Sequence, residues 1–184
     1  MRRPVTETGG RLALERRQLL IGTAAGLTIT AAASAFAASA PPDLAGQVRR
    51  LADAYAAAWN AADMDAMAML YAKDVHWVNI VGMHWQGKDQ VDRAHRTFFD
   101  IMFRGVPLAL EEVESVVPLP GNGAVAVLRW SVGAFKTPAG TTVPPSRDRM
   151  TLVLIPDGET LLIAHGANIQ IDEMAQRNNP IQPG

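Results

Sequence analysis

Residues 55–87, YAAAWNAADMDAMAMLYAKDVHWVNIVGMHWQG, carry the strongest structural pattern in the chain. They divide into the end of one helix, a tight break, a second short helix, a strand and a turn back. We expect this stretch to form the floor and one wall of a pocket. The pattern therefore predicts a fold and a site, but it does not name a substrate.

The first helix begins upstream of this stretch. Asp43 is a suitable N-cap residue, and apolar residues then recur at intervals of three or four positions. This spacing predicts an amphipathic helix that ends near Asn60. Its buried stripe would consist of Leu44, Val48, Leu51, Tyr55 and Trp59. Asp63 is then expected to cap a second helix that runs to Asp74. The buried side of that second helix would consist of Met67, Leu70 and Tyr71.

The remainder of the chain predicts one more helix and a set of strands. Residues 76–81 alternate in a β-like pattern, with Trp77 and Asn79 on the same face. Residues 89–103 have apolar side chains at helical spacing, with His95 on the buried side. Four later strands, joined by turns, are predicted at residues 108–117, 124–135, 147–155 and 160–171. Hairpin-linked strands beside helices indicate an α+β fold with a mostly antiparallel sheet, curved around the first helix.

Composition limits the classes of protein that fit. The chain has 184 residues, enough for one domain and an extension. It contains no cysteine, which excludes disulfides, cysteine-based metal sites and thiol nucleophiles. Residues 1–37 hold five arginines and two glutamates, so the remainder has 12 basic and 16 acidic residues. A mildly acidic domain of this kind is not expected to bind nucleic acid.

Residues 1–37 are predicted to be an export signal. Arginines give a basic start, an uncharged run of small and apolar residues follows, and a small-x-small pattern suits cleavage after Ala37. Arg16-Arg17 resembles the twin-arginine signal, and an ordinary secretory signal or a retained N-terminal anchor is the alternative. We expect an exported protein, periplasmic or extracellular, that meets the membrane only transiently during export.

Several short motifs resemble the NTF2-like superfamily. They are Trp59-Asn60 with Asp63, Tyr71-Ala72-x-Asp74, Val78-Asn79-x-x-Gly82, Gly87 and His95. This superfamily includes ketosteroid isomerase, scytalone dehydratase and the SnoaL-like polyketide cyclases, and the resemblance is greatest to its SgcJ/EcaC-type group. The resemblance implies a cone, in which a curved, mostly antiparallel sheet wraps around a long N-terminal helix with two further helices. The NTF2-like domain would occupy residues 41–172, followed by a loose polar tail at residues 173–184.

The resemblance also implies roles for single residues. Tyr55 matches the tyrosine that helps ketosteroid isomerase bind an oxyanion, and Asn79 matches the catalytic aspartate of that enzyme. An amide cannot replace a carboxylate as general base, so the isomerase mechanism does not transfer unchanged. Asn168 matches an asparagine on the last strand of the SgcJ/EcaC-type group. Ala167 and Ile169 stand where that group commonly has histidine and threonine.

His95 is the candidate general base, because it is the side chain in the expected pocket that can move a proton near neutral pH. Tyr55 is the second candidate catalytic residue. The candidate binding residues are Asn79, Trp59, Trp77 and Asn168. Each candidate has a structural alternative: a satisfied core histidine, aromatic packing, or a local hydrogen bond of the asparagine.

The other polar residues are given structural interpretations. His76, His84 and His165 lack the spacing of a metal site, so neither a metal nor another cofactor is expected. Charged residues at the start of the strand at 147–155 are interpreted as surface charges or dimer contacts: Arg147, Asp148 and Arg149.

Two functional interpretations remain open. In the first, the protein is an enzyme that binds a small, largely apolar carbonyl compound and catalyses isomerisation, cyclisation or dehydration by acid–base chemistry. In the second, the same cone holds a hydrophobic ligand without catalysis or acts as a dimerisation module. A homodimer formed through the outer face of the sheet is expected in either case.

Overall fold

The computed structural model describes residues 43–181. Its helices are α1 (Leu44–Ala61), α2 (Met64–Ala68), α3 (Lys88–Phe98) and α4 (Glu173–Gln176), and α3 continues into a π-helical turn at Phe99–Phe103. Its strands are β1 (Tyr71–Val78), β2 (His84–Gln86), β3 (Leu108–Leu119), β4 (Gly123–Val132), β5 (Phe135–Lys136), β6 (Thr142–Val143), β7 (Ser146–Asp157) and β8 (Thr160–Gln170). None of the described helices is long and apolar enough to cross a membrane. The predicted export signal, residues 1–37, lies outside the described residues.

Helix α1 follows the predicted apolar stripe. The four stripe residues that precede Trp59 are buried, and Trp59 is half-buried. Asp43, in contrast, does not cap the helix with its side chain, and its carboxylate instead pairs with Arg50 at 2.9 Å. The helix ends at Ala62, which adopts a left-handed conformation. The backbone N–H of Ala62 donates to the carbonyl oxygens of Ala58 and Trp59.

The second helix is shorter than predicted. Asp63 caps α2 as expected, because its carboxylate accepts a hydrogen bond from the backbone N–H of Ala66 at 2.9 Å. The helix then ends after five residues, and Tyr71, predicted to be helical, begins β1. Tyr71 is paired with Ile163 of β8, and pairing with the sheet outweighs the weak preference of a short segment for helix.

Strand β1 also ends earlier than predicted, at Val78. The chain turns before β2, and the side-chain oxygen of Asn79 accepts hydrogen bonds from the backbone N–H groups of Val81 and Met83, at 3.1 and 2.8 Å. Asn79 therefore lies in a turn. The prediction that it shares a strand face with Trp77 is wrong.

Six strands form one sheet in the order β2-β1-β8-β7-β4-β3. Strands β1 and β8 are parallel, and the other neighbouring pairs are antiparallel. Register shifts interrupt the β1–β8, β3–β4 and β7–β8 ladders, and such irregularities bend a sheet. Strands β5 and β6 form a separate hairpin, because the strand predicted at residues 124–135 is interrupted after β4. The predicted α+β class with a curved, mostly antiparallel sheet is confirmed.

The Trp59-Asn60 motif fastens the end of α1 to the start of β3. The Asn60 side-chain amide donates to the carbonyl oxygen of Leu108 at 2.8 Å, and its oxygen accepts from the Leu108 N–H at 2.9 Å. The indole N–H of Trp59 donates to the carbonyl oxygen of Val106 at 2.8 Å. These contacts hold α1 across the inner face of the sheet. The hydrophobic core lies between the helix and the sheet.

The polar C-terminal region is not entirely a loose tail. Asp172 caps α4 by accepting hydrogen bonds from the N–H groups of Met174 and Ala175, at 2.9 and 3.0 Å. Glu173 in this helix pairs with Arg147 of β7 at 2.7 Å. The first residues of the predicted tail are therefore attached to the sheet.

Candidate functional site

A cavity of about 430 Å³ lies between α1, α3 and the inner face of the sheet. Its walls are largely apolar and aromatic, with contributions from Trp85, Phe98, Phe103, Trp130 and Phe135. All six residues predicted as site residues line it: Tyr55, Trp59, Trp77, Asn79, His95 and Asn168. Its volume and its few polar groups are typical of a small-molecule site.

His95 reaches the cavity from α3 and is buried. Its Nδ1 lies 2.8 Å from the carbonyl oxygen of Val91, which can only accept a hydrogen bond. Nδ1 therefore carries the proton and Nε2 keeps its lone pair, the tautomer that a general base needs. Burial lowers the pKa of His95, although its bond to Val91 and the charge of Asp92 act in the opposite direction. His95 is thus neutral near pH 7.

Tyr55 lies on α1 with its ring stacked on Trp77, at a centroid distance of 6.2 Å and an interplanar angle of 5°. Burial raises the pKa of Tyr55, and the neighbouring Tyr71 hydroxyl lowers it by a smaller amount. Burial is also the main cause that raises the pKa of Tyr71, whose hydroxyl has no partner with hydrogen-bond geometry among the described residues. Tyr55 therefore stays a phenol and can donate a proton in a hydrogen bond.

The two predicted tryptophans form fixed parts of the wall. Trp59 is held by its indole hydrogen bond and packs edge-on against Phe99, with ring centroids 4.6 Å apart. Trp77 is fully buried and lies between Tyr55, the ring of His95 at 5.1 Å, and the backbone of Gly166. Each tryptophan therefore presents an apolar surface to the cavity. The indole N–H of Trp59 is already bonded to Val106, so Trp59 has no polar group to offer a ligand.

Both asparagines line the cavity, one from the β1–β2 turn and the other from β8. Asn79 lies in the β1–β2 turn beside exposed Ile80 and Val81, which places it at the cavity rim. Its oxygen is bound by the turn, so its amide NH₂ is the group available to a ligand. Asn168 lies on β8, and its buried oxygen has no hydrogen-bond partner among the described residues. A buried polar atom without a partner is uncommon and is often associated with function.

Asp148 is a cavity residue that the sequence interpretation missed. It is 8% exposed, and its Oδ1 accepts a hydrogen bond from the Ser146 hydroxyl at 3.1 Å. Burial raises the pKa of Asp148, and the Ser146 bond offsets part of this effect. The interpretation of Asp148 as a surface charge or dimer contact is therefore wrong, because a strand places alternate residues on opposite faces. Buried Met150 and Leu152, two and four residues later, mark the inner face.

His95 and Asp148 are two titratable groups of the cavity whose pKa values shift in opposite directions. The low pKa of His95 favours a neutral imidazole, whereas the raised pKa of Asp148 favours a carboxylic acid more than in water. Both shifts have the same main cause, because an apolar cavity disfavours charge. Such groups in one cleft are candidates for acid–base chemistry.

The remaining histidines lie outside this cavity. In the part of the chain that the structure describes, no group of three or more histidine, aspartate or glutamate side chains is arranged to hold a metal ion. His76 and His84 nevertheless lie together on the outer face of the sheet, with Nδ1 and Nε2 3.1 Å apart.

Comparison with known families identifies the class of protein. A family model described as a SnoaL-like domain matches residues 52–159, so the chain belongs to the SnoaL-like family. No curated protein matches the sequence.

Solved structures with the same fold agree with this assignment. An uncharacterized protein with a cystatin-like fold from Caulobacter vibrioides is 33% identical, with a TM-score of 0.70, and the match covers 74% of this chain and 96% of that one. A ketosteroid isomerase-like protein from Erwinia carotovora atroseptica is 20% identical, with a TM-score of 0.61 and coverage of 72% and 99%. An NTF-2 like protein of unknown function from Shewanella oneidensis is 18% identical, with a TM-score of 0.54 and coverage of 68% and 98%. The last two comparisons show the fold alone. The SgcJ/EcaC-type assignment stays a prediction.

Proposed function

We propose that the protein binds a small, largely apolar carbonyl compound in this cavity and transfers a proton between the ligand and the pair His95 and Asp148. The observation that carries this proposal is the buried carboxyl group of Asp148 in the same apolar cavity as a neutral His95. Asp148 thereby supplies to the cavity the carboxyl group that Asn79, the amide that matches the catalytic aspartate of ketosteroid isomerase, does not.

The two groups have complementary roles in the proposed reaction. Nε2 of His95 takes a proton from the carbon next to the carbonyl group, and the acid form of Asp148 gives a proton to the carbonyl oxygen. The product is a neutral enol, which is the common intermediate for isomerisation, cyclisation and dehydration. The ligand stays neutral, whereas the step leaves an imidazolium at His95 and a carboxylate at Asp148, and both groups return to their neutral forms as the enol is converted to product.

Hydrogen-bond donors and apolar walls would orient the ligand. Tyr55 can donate from its hydroxyl and Asn79 from its amide, whereas the orphan oxygen of Asn168 accepts from a ligand hydroxyl. Trp59 and Trp77 would contact the apolar body. A neutral molecule with one carbonyl group and one hydroxyl group fits these donors and acceptors better than an ion does.

The test uses whatever compound the protein carries. The chain is purified gently from its own host and analysed by native mass spectrometry, and the released compound is incubated with enzyme in D₂O. We expect the compound to gain deuterium next to its carbonyl group with wild-type protein. His95→Gln and Asp148→Asn should each slow this exchange by about 10²-fold or more, the usual contribution of a general acid or base.

The alternative is binding without catalysis. It is favoured by Asn79, an amide at the position that matches the catalytic aspartate of ketosteroid isomerase. A compound that co-purifies with the protein but gains no deuterium would contradict the catalytic proposal and support this alternative. A compound without a carbonyl group would have the same consequence.

Residues 1–37 support a second proposal, export to the periplasm or the exterior. Cell fractionation should find the chain outside the cytoplasm. Replacement of Arg16 and Arg17 by lysine should retain it inside if the route is twin-arginine, because charge alone does not satisfy that signal. Replacement of Arg2 and Arg3 by lysine is the matched control and should not change export.

The outer face of the sheet supports the proposal of a homodimer. Val127, Thr151 and Ala167 lie side by side on three neighbouring strands, and each is half-buried. Apolar surface on an exposed face favours an interface between copies, because the cores of homodimer interfaces are more apolar than the rest of the surface. We expect a dimer in sedimentation at micromolar concentration and a monomer for Thr151→Arg. A monomeric wild-type protein would contradict the proposal.

A further inference from the structure

Two histidines from neighbouring strands meet on the outer face of the sheet. His76 lies on β1 between Val75 and Trp77, both buried, so its own side chain faces outward. His84 lies on β2 opposite Val78, which shares the outer face with His76. Nδ1 of His76 and Nε2 of His84 are 3.1 Å apart, and both residues are exposed.

The distance between these nitrogens matches two ligands of one metal ion. Zinc–imidazole bonds are about 2.0–2.1 Å long. Two such bonds place the nitrogens about 3 Å apart at a right angle and about 3.4 Å apart in a tetrahedron. The observed 3.1 Å lies between these values, so a metal ion can bridge the rings with small side-chain adjustments.

The two facing nitrogens are engaged with each other, so metal binding requires the shared hydrogen to move to the other nitrogen of its ring. The contact between the rings needs one protonated nitrogen and one lone pair, and among the described residues neither ring has another hydrogen bond. His165 is aligned with His76 across the parallel β1–β8 pair. A third imidazole therefore lies nearby, although it does not converge with the other two.

We propose that His76 and His84 form a binding site for a divalent transition-metal ion that prefers imidazole, such as Cu²⁺, Ni²⁺ or Zn²⁺. Water completes the coordination sphere, since two protein ligands leave positions open. Affinity should follow the usual order of these metals, with Cu²⁺ bound most tightly. The site lies on the face of the sheet opposite the cavity, so it is independent of the proposed reaction with the carbonyl compound.

The test titrates CuCl₂ into the full chain, purified without a histidine tag and freed of metal with a chelator. Calorimetry measures stoichiometry and affinity, and electron paramagnetic resonance counts the nitrogens bound to copper. We expect one Cu²⁺ per chain with two imidazole nitrogens. His76→Gln and His84→Gln should each lower the affinity by at least about tenfold, the loss that even outer-shell changes produce.

His165→Gln is the matched control, because it removes a histidine from the same face without removing a ligand. It should retain the affinity and the two-nitrogen spectrum. Thermal denaturation of each variant checks that the exposed substitutions leave the fold intact. Absence of copper binding, or equal binding by His76→Gln, His84→Gln and wild type, would overturn the site. A loss in His165→Gln equal to that in His76→Gln would overturn the two-ligand arrangement.

Discussion

Asp148 and Arg149 are adjacent on β7, but their side chains lie in opposite environments. Arg149 faces outward, and its guanidinium contacts the Glu114 carboxylate at 2.6 and 2.9 Å. Asp148 faces the cavity, where it accepts one hydrogen bond from a serine hydroxyl. The Arg149 pair lowers the pKa of Glu114, whereas burial raises the pKa of Asp148. The two faces of the sheet therefore shift the pKa values of carboxyl groups in opposite directions.

The difference shows what each face of the sheet contributes. On the outer face, Arg129 also forms ion pairs with Glu111, Glu112 and Glu114. The charges on that face are therefore paired and partly exposed to solvent. On the inner face, Asp148 has no cationic partner within ion-pair distance among the described residues. A carboxylate in an ion pair stabilises the fold modestly. A buried carboxyl group without a cationic partner opposes folding, but it is available for acid–base chemistry.

The largest expected effect is steric and distinguishes the two faces of the sheet at Gly166 and Ile169 of β8. A Cβ atom at Gly166 would overlap the buried Trp77 ring. Gly166→Val should therefore lower the free energy of unfolding by about 3 kcal/mol, the cost of severe overpacking. Ile169→Val, on the exposed outer face, should change it by less than about 0.5 kcal/mol. Urea denaturation at one protein concentration, followed by tryptophan fluorescence, measures both. Equal losses would mean that the faces do not differ in packing.

A smaller effect is expected from Glu114→Gln on the outer face. The substitution should lower the free energy of unfolding at pH 7 by about 1 kcal/mol, since it removes the charge that two arginines bind. The folded-state pKa of Glu114 is below its ordinary value, so the unfolded state binds the proton first as the pH falls. The contribution is complete above the ordinary pKa and is lost as the pH falls through the folded pKa.

The difference between wild type and Glu114→Gln should therefore shrink from pH 7 towards pH 3 in urea denaturation. Glu111→Gln is the control, because Glu111 contacts Arg129 alone and at a longer 3.1 Å. A difference that stays constant across this pH range would show that the charge of Glu114 is not the cause.

The sequence was sufficient for the parts of the molecule that depend on local periodicity. The spacing of apolar residues predicted α1 and its buried stripe, and hairpin-linked strands predicted the α+β class. The start of β1 could not be predicted in this way, because Tyr71 is a strand residue through its pairing with Ile163, more than ninety positions away. Local propensity contains no information about such a partner.

The candidate site shows the same division. Helical spacing placed Tyr55 and His95 correctly towards the interior, and both line the cavity. Asp148 was missed because Arg147 and Arg149 made the start of this strand resemble a charged surface. The apolar residues Met150 and Leu152 could have predicted the inward orientation of Asp148, since it precedes them on the same strand by an even number of residues. The contact between His76 and His84 depends on the turn that Asn79 closes, and this register was not readable from the sequence.

The smallest expected effect has the opposite sign. Asp148→Asn keeps the shape of the side chain and removes the cost of burying a carboxyl group that is ionised in the unfolded state, so it should stabilise the protein at pH 7 by about 0.5 kcal/mol or more, as single stabilising substitutions do. The folded-state pKa of Asp148 is raised, so the folded state retains a proton that the unfolded state has lost. Wild-type stability therefore decreases as the pH rises through this window, and the advantage of Asp148→Asn should vanish below the ordinary pKa of aspartate. Arg149→Met, one position away on the outer face, should destabilise at pH 7. If Asp148→Asn also destabilises the protein, the Asp148 carboxylate supports the fold, and the proposed exchange of stability for chemistry on the inner face is wrong.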